Sequence, residues 1–138
     1  MDLTVLDAGV LIAVLNAEDA HHHPAREALA SARGRGDRFV VPASAYAEVL
    51  VAPLRRSPAS GAAVEEFLEA LPASVEAATR QIAHRAAELR ARHGNRLRLP
   101  DALVVATAIV LEADRVVTTD ARWPDLGITV EVVGATSG

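Results

Sequence analysis

Five short runs of β-branched and aliphatic residues alternate along the chain with longer stretches that have the composition of helices. The runs cover residues 4–6, 38–41, 74–76, 115–118 and 129–133. Strands that alternate with helices of ten or more residues are typical of parallel sheets, because each connection must cross back over the sheet. The pattern therefore predicts an α/β domain built around one parallel sheet.

Side chains that can cap helices indicate where the intervening helices begin. Asp19, Ser44 and Thr79 each precede a helix-like stretch and are predicted N-caps. Pro53 is expected to end the helix that starts at Ser44, because proline lacks the backbone donor that a continuing helix needs. A polar loop is expected over residues 55–61.

The length and composition of the chain favour a single domain. With 138 residues, 51% of them apolar and few aromatic, the chain can bury one core of aliphatic side chains. We expect one domain over residues 1–138, with a disordered tail over residues 134–138. The sequence opens without a signal-peptide pattern, and no apolar run approaches the ~20 residues that span a bilayer, so the expected location is the cytoplasm.

The charge of the chain gives a mixed indication about its partners. A formal net charge of −4 is unusual for a protein that binds nucleic acid, yet all 14 basic residues are arginine. Arginine presents a planar fork that suits phosphate, although a composition rich in Arg and Ala also follows from a GC-rich genome. The chain has no cysteine, which excludes disulfides and thiolate metal sites.

Four acidic residues differ from the other acids in their surroundings. Asp7 directly follows the first predicted strand, and Asp120 follows the run of residues 116–119 at the carboxyl end of another. Ligands of open parallel sheets bind at the carboxyl ends of the strands. Asp101 lies in the first turn of an apolar helix, where the helix dipole favours an anion. Glu48 is the only charged residue on its predicted helix, and a carboxylate that faces an apolar layer is costly unless it is compensated. We expect these four side chains to form one site.

The composition of this group indicates a divalent metal. The chain has no lysine, and no arginine lies within six residues of Glu48 or Asp7. Carboxylate oxygens are the ligands that Mg²⁺ prefers, and such ions support phosphodiester hydrolysis. Each aspartate also has a purely structural interpretation: Asp7 as a helix cap, Asp101 as a helix-start residue and Asp120 as a turn residue.

Polar residues near these acids are further candidates. Thr118 and Asp120 share one face of a strand by the two-residue period, so the Thr118 hydroxyl either orients a water or ligand or is simply a β-forming side chain. The other candidates for a supporting role or for contacts with RNA phosphates share their nearness to the acids: Ser44, Arg96, Arg98 and Arg122.

Four segments around these residues resemble the sequence motifs of PIN domains. Residues 6–13, LDAGVLIA, resemble the first motif, and residues 44–49, SAYAEV, resemble the second. Residues 99–108, LPDALVVATA, resemble the third motif, and residues 117–120, VTTD, resemble the fourth. Because the four occur in order over residues 3–123, the resemblance covers nearly the whole chain.

In length and compactness the chain most resembles the VapC toxins of bacterial toxin–antitoxin pairs. That resemblance implies a parallel sheet of strand order 3-2-1-4-5 with helices on both faces, in three layers. It implies an endoribonuclease that depends on Mg²⁺ or Mn²⁺ and cuts structured RNA such as tRNA or rRNA, with a homodimer neutralised by a VapB-type antitoxin. The metal-binding and catalytic residues would be Asp7, Glu48, Asp101 and Asp120.

One position departs from the family pattern. Many PIN domains carry Ser, Thr or Asn two residues after the first aspartate, where this chain has Gly9, so the choice between one and two metals stays open. Receiver domains and haloacid-dehalogenase phosphatases also gather acids at a sheet edge, but both use a lysine that this chain lacks. A PIN ribonuclease with a housekeeping role and a non-catalytic α/β binding module remain as alternatives.

Overall fold

The computed structural model describes residues 2–134, so the expected tail lies outside the described residues except for Gly134. The strands are β1 (Leu3–Leu6), β2 (Arg38–Pro42), β3 (Ala73–Glu76), β4 (Arg115–Thr118) and β5 (Val130–Val132). The helices are α1 (Ala8–Leu15), α2 (His22–Gly34), α3 (Ala43–Arg56), α4 (Pro58–Ala70), α5 (Arg80–His93) and α6 (Leu99–Val110), with a 3-10 turn at Gly94–Arg96 between the last two.

The five strands form one parallel sheet in the order β3-β2-β1-β4-β5, as the resemblance implied. Crossover connections between parallel strands are right-handed, so the direction of each step along the sheet decides which face its helices cover. The steps from β1 to β2 and from β2 to β3 run in one direction and place α1 to α4 on one face. The step from β3 to β4 runs the other way and places α5 and α6 on the opposite face, which gives the expected three layers.

This topology creates a crevice at one edge of the sheet. Connections leave β1 and β4 in opposite directions, and the carboxyl ends of such neighbouring strands are where open α/β sheets bind ligands. Asp7 follows the last residue of β1, and Asp120 lies two residues beyond the end of β4. The fold therefore brings the first and last of the predicted site residues to the same edge.

The two central strands supply much of the apolar core. Val5, Leu6, Val116 and Val117 of the two central strands are at most 1% exposed, since helices cover both of their faces. A second apolar cluster joins the outer helix layer to the rest, with Ile82, Ala86 and Leu89 of α5 against Ala102, Val105 and Ala106 of α6. No helix within residues 2–134 is both long and apolar enough to cross a membrane.

Two of the three predicted helix caps are wrong. Thr79 does cap α5, because its hydroxyl accepts a hydrogen bond from the backbone N–H of Ile82 at 3.2 Å. Asp19, by contrast, accepts the backbone N–H of His21 at 2.8 Å in a turn that precedes α2. Ser44 lies inside the first turn of α3, which begins one residue earlier and directly after the strand.

The predicted helix end at Pro53 and the loop over residues 55–61 are also wrong. Pro53 lies inside the last turn of α3, where a proline costs only one of the final backbone hydrogen bonds. The break falls at Ser57, whose backbone is extended and whose hydroxyl accepts the N–H of Ser60 at 3.1 Å. With Pro58 at its first position, α4 starts there, so a single capping residue replaces the expected loop.

Candidate active site

Asp7 joins the ends of the two central strands. It is the N-cap of α1, and its Oδ1 accepts the backbone N–H of Ala8 at 2.8 Å. Its Oδ2 accepts a hydrogen bond of 2.7 Å from the hydroxyl of Thr118, the fully buried last residue of β4. The Thr118 hydroxyl therefore orients a carboxylate and is more than a β-forming side chain, while the capping role expected as an alternative for Asp7 is also present.

The electrostatic environment of Asp7 opposes its ionised form. Burial raises the pKa of its carboxyl group, and the carboxylates of Glu48 and Asp120 raise it further. The hydrogen bonds from Thr118 and Ala8 act in the opposite direction but do not cancel the rise. A partly buried acid that other acids crowd is a common feature of functional sites.

Asp101 occupies the first turn of α6 and is affected by the same carboxylates. Burial raises its pKa, followed by the charges of Asp7 and Asp120, while Arg98 and Trp123 lower it. Its position at the start of a helix is consistent with the structural interpretation, but a helix-start role alone gives no reason for two other acids to lie nearby. The coupling therefore favours a shared site.

Glu48 does not face the apolar layer as the sequence suggested. The buried stripe of α3 runs through Ala45 and Val49, and Glu48 is displaced from it by one residue, so its side chain is exposed. Desolvation of its carboxyl group and the charge of Asp101 nevertheless raise its pKa, and Arg98 opposes them. Glu48 thus borders the same site from the solvent side.

Asp120 forms an ion pair with an arginine, which the other three site acids do not do within residues 2–134. Its Oδ1 accepts the backbone N–H of Arg122 at 2.9 Å, and the Arg122 guanidinium lies 3.2 Å from the same oxygen. Burial alone would raise the pKa of Asp120, but these hydrogen bonds outweigh it and lower the pKa. The turn role expected as an alternative is therefore present, and Arg122 is paired with a site acid while its side chain stays 86% exposed.

The four acids lie within electrostatic range of one another, but they are not a compact cage. Within residues 2–134, no three Asp, Glu, His or Cys side chains approach closely enough to enclose a metal ion. Asp7 and Asp120 are each held by protein hydrogen-bond donors. The arrangement is a coupled set of carboxylates at the mouth of the crevice.

The remaining candidates differ in how closely they approach the site. Arg98 lowers the pKa values of Glu48, Asp101 and Asp120, so its charge acts on three of the four acids. Arg96 is exposed in the 3-10 turn that precedes it. The charge of Arg98 therefore favours the ionised forms of these acids, although no hydrogen bond joins Arg98 to any of them within residues 2–134.

The space beside Gly9 is occupied by another side chain. A Cβ atom built on Gly9 would lie 2.4 Å from the hydroxyl oxygen of Thr119, which is too close for any real contact. The Thr119 hydroxyl therefore fills the space, two residues after Asp7, in which a serine or asparagine side chain would begin. The departure from the family pattern is accommodated by the residue that precedes Asp120.

Two residues of this region were missed at the level of sequence. Trp123 has an indole Nε1 that is buried and, among the residues described, has no hydrogen-bond partner. Thr119 was not singled out because hydroxyl residues are common at strand ends. The available signal was that Trp123, the single tryptophan of the chain, follows Asp120 by only three residues.

The sequence matches the family described as the PIN domain over residues 4–128. The chain belongs to the PIN-domain family. This assignment confirms the resemblance of the four motifs and supports the general expectation of a nuclease fold. No curated protein sequence matches the chain.

Solved structures of low sequence identity share the fold. A VapC20 toxin of Mycobacterium tuberculosis that cleaves the sarcin–ricin loop is 22% identical, with a TM-score of 0.68 over 82% of this chain and 86% of that chain. A toxin–antitoxin complex from Klebsiella pneumoniae is 21% identical, with a TM-score of 0.69 over 86% of this chain and 88% of that chain. VapBC2 from Rickettsia felis, bound to a DNA fragment from its promoter, is 16% identical, with a TM-score of 0.71 over 96% of this chain and 98% of that chain. At these identities the similarity establishes the fold alone.

Proposed function

We propose that this PIN domain is an endoribonuclease that requires Mg²⁺ or Mn²⁺ and acts as the toxin of a toxin–antitoxin pair. The observation that carries the proposal is the position of Asp7 and Asp120 beyond the ends of the neighbouring strands β1 and β4, where the order of the strands reverses. The raised pKa values of Asp7, Glu48 and Asp101 support it. The fold accounts for the meeting of these acids, and their chemistry accounts for the expected cofactor.

The donor set fits a hard divalent cation. Carboxylate oxygens are the preferred ligands of Mg²⁺ and Mn²⁺, and the raised pKa values of Asp7, Glu48 and Asp101 mark a site where added positive charge is favourable. Asp7 and Asp101 would hold the ion, with Glu48 and Asp120 beside them. Such an ion supplies activation of a water and stabilisation of charge on the phosphate.

Other parts of the chain would orient the site and bind the phosphate backbone. Thr118 holds the Asp7 carboxylate in one rotamer through its 2.7 Å hydrogen bond. Residues 90–98 carry four arginines and no acid and lead directly to the helix of Asp101. Arg90 is engaged with the backbone carbonyls of Gly94 and Leu97, whereas the other three, Arg92, Arg96 and Arg98, are exposed and suited to phosphate.

Metal-dependent cleavage of RNA tests the proposal directly. We expect the purified protein to cut a mixed tRNA and rRNA preparation in millimolar Mn²⁺ or Mg²⁺ and to be inactive in EDTA, because the carboxylates need a cation to activate water. Gel analysis of end-labelled RNA is the measurement. Cleavage that persists in EDTA would refute the metal-dependent mechanism, and the absence of cleavage in either ion would favour the non-catalytic binding module.

A groove next to the acids supports the antitoxin part of the proposal. It has a volume of about 440 Å³, and its apolar side includes Ile12 and Leu15, which are 39% and 41% exposed, while Glu48 lies on its wall. An antitoxin segment with apolar residues and an arginine would complement this surface. The similar structures include toxin–antitoxin complexes, which makes such a partner the first candidate.

The homodimer, for which Val51 and Leu54 of α3 offer exposed apolar surface, and the cytoplasmic location belong to the same proposal.

Expression in the native host separates a toxin from a housekeeping ribonuclease. We expect induction of the chain to arrest growth, and co-expression of the gene immediately upstream to restore it, because the antitoxin covers the acidic site. Its binding should weaken as salt rises, since complementary charges are screened. Normal growth on induction would favour the housekeeping role and leave the cleavage result unaffected.

Metal should also change the thermal stability of the protein in a predictable direction. The pKa values of Asp7, Glu48 and Asp101 are raised in the folded state, so the folded protein binds more protons than the unfolded chain does. Stability of the metal-free protein therefore falls as pH rises from the unfolded-state pKa values through the raised folded-state values of these groups. Asp101→Asn removes one of the repelling charges, so in EDTA at pH 7 it should melt above wild type.

The two proteins should respond differently to Mn²⁺. A ligand at about 100 times its dissociation constant adds about 2.7 kcal/mol to the stability of the protein that binds it. Wild type should gain this increment and the variant less, while the advantage of the variant in EDTA should shrink at acidic pH. Differential scanning fluorimetry in four conditions is sufficient. A wild-type melting temperature that does not respond to Mn²⁺ would contradict the metal site.

A further inference from the structure

We infer that Arg90 is a positioning residue for RNA binding: its guanidinium holds the loop between α5 and α6 so that Arg96 and Arg98 contact phosphates of one RNA strand. The inference rests on the proposed function, in which the exposed arginines of this loop bind the RNA backbone. It assigns a role to the one arginine of residues 90–98 that is not exposed.

Arg90 joins the two ends of the loop through a single nitrogen. Its Nη1 donates hydrogen bonds to the backbone carbonyls of Gly94 at 2.6 Å and of Leu97 at 3.0 Å. The Arg90 carbonyl in turn accepts the N–H of Gly94, which has a positive φ of 58° where α5 ends. Hydrogen bonds from a charged donor are stronger than neutral ones, so this side chain fixes the path of the chain after α5.

The path of the loop decides where its arginines point. Leu97 is 0% exposed, packs in the apolar cluster between α5 and α6 and has an extended backbone. Consecutive side chains of an extended backbone alternate in direction, so the residues on either side of Leu97, Arg96 and Arg98, project into solvent. Arg90 binds the carbonyl of Leu97, the residue whose orientation sets the directions of both arginines.

The spacing of the two exposed arginines fits the backbone of a single strand. Cα atoms two residues apart in an extended chain are separated by about 6.6 Å, which is comparable with the distance between neighbouring phosphates of RNA. Each guanidinium is a planar fork that suits one phosphate. Arg98 directly precedes α6, whose first turn carries Asp101, and its carbonyl accepts the N–H of Ala102 at 2.9 Å. Two adjacent phosphates bound here would therefore lie next to the proposed metal site.

RNA binding in EDTA tests the role without any cleavage. We expect Arg90→Met to raise the dissociation constant for a short fluorescein-labelled single-stranded RNA by about 3- to 10-fold, because two exposed ion pairs with phosphate are weakened. Fluorescence anisotropy is the measurement, with circular dichroism as a check of folding. Arg85→Met is the matched control on the same helix: Arg85 is exposed and pairs with Glu88 at 3.6 Å, so its loss should change the affinity by less than about twofold. An equal loss in both variants would overturn the role.

Hydrogen exchange shows whether the loop itself responds. The N–H of Leu97 donates to the Gly94 carbonyl at 3.2 Å, and that of Ala83, at the other end of α5, donates to the Thr79 carbonyl at 2.9 Å. In Arg90→Met the Leu97 amide should exchange roughly tenfold faster, while the Ala83 amide keeps its wild-type rate, since the opening is local. Equal acceleration of both amides would mean that Arg90 only stabilises the fold, and would overturn the role.

Two further variants separate positioning from direct contact. Arg90→Lys keeps the positive charge on a shorter side chain. RNA affinity that follows the protection of the Leu97 amide in the Met and Lys variants supports positioning, whereas affinity that follows the charge alone overturns it. In a protein that carries Arg96→Gln and Arg98→Gln, adding Arg90→Met should have little further effect, because Arg90 acts through those two arginines. A full additional loss would identify Arg90 as a direct phosphate contact and overturn the role.

Failure of this role and failure of the proposed nuclease have different signatures. If RNA is cleaved in Mn²⁺ but the RNA affinity in EDTA is insensitive to Arg90, the positioning role fails alone. If Arg90 controls RNA affinity as expected but RNA stays intact in Mn²⁺, only the proposed nuclease function fails.

Discussion

Replacing Asp7 with asparagine should reduce RNA cleavage by roughly 10²- to 10⁴-fold while the fold survives. The asparagine side-chain oxygen can still accept the backbone N–H of Ala8 and continue to cap α1. What is lost is the negative charge that draws the metal ion to the end of β1. Asp101→Asn removes a charge from the same coupled set and should have an effect of similar size.

A matched substitution distinguishes this loss from a general effect of removing an acid. Asp19 is also half-buried and also accepts a backbone N–H, that of His21 at 2.8 Å, but it lies in the turn between α1 and α2. Asp19→Asn should cleave within about twofold of wild type, since surface substitutions away from special features have small effects. Single-turnover cleavage in Mn²⁺, with circular dichroism as a check of folding, provides the comparison. Undiminished cleavage by Asp7→Asn or Asp101→Asn would refute the site.

The placement of Asp7 and Asp120 could be predicted because it depends on only two properties of the sequence. Both residues follow short aliphatic runs, and parallel strands present their carboxyl ends at one edge. Strand order was available only from the resemblance to PIN domains, since alternation of strands and helices does not distinguish one order from another. That order makes β1 and β4 neighbours and so brings the two aspartates together.

The environment of Glu48 could not be predicted to the same accuracy. The sequence of α3 is apolar on most sides, and a shift of one residue on a helix turns a side chain by about 100°. In the folded protein α3 buries Ala45 and Val49, which leaves the Glu48 side chain exposed. Pro53 lies inside the last turn of the same helix, although the local rule for proline placed the end of the helix there.

Side-chain contacts around the site could not be predicted, for a different reason. The ion pair of Asp120 with Arg122 is local, yet whether an arginine turns back to an acid or outward to a ligand depends on the shape of the turn. The hydrogen bond from Thr118 to Asp7 requires the register of β4 against β1. Neither contact can be predicted from the spacing of residues in the sequence, because each depends on how the strands, helices and turns pack.

The largest such omission is a charge network at the opposite, amino-terminal edge of the sheet. Arg115, the first residue of β4, donates hydrogen bonds of 3.0 Å to Thr4 and of 2.8 Å to Asp37. It also contacts Asp2 at 2.7 Å, and Thr4 donates to Asp37 at 3.0 Å. The Asp37 side chain is only 1% exposed, and these hydrogen bonds compensate its burial. The network links β1 and β4 to the residue that precedes β2.

Arg115→Met should therefore destabilise the protein strongly. Removing one partner of a buried ion pair costs about 3–5 kcal/mol, because the remaining charge stays buried without compensation. Arg115 is 19% exposed and Asp37 keeps a second contact, to Arg35 at 3.0 Å, so the lower end of that range is expected. For a domain of this size, about 3 kcal/mol corresponds to a fall in melting temperature of about 10 °C.

Two further variants make the result specific to the buried charge. Arg35→Met removes the other arginine that contacts Asp37, but its side chain is 46% exposed, so the loss should stay below about 1 kcal/mol. Adding Asp37→Asn to Arg115→Met removes the uncompensated charge and should recover most of the lost stability. Thermal melting at neutral pH measures all three. If Arg115→Met and Arg35→Met melt together, the network does not stabilise this edge, and the sheet there depends on its apolar core alone.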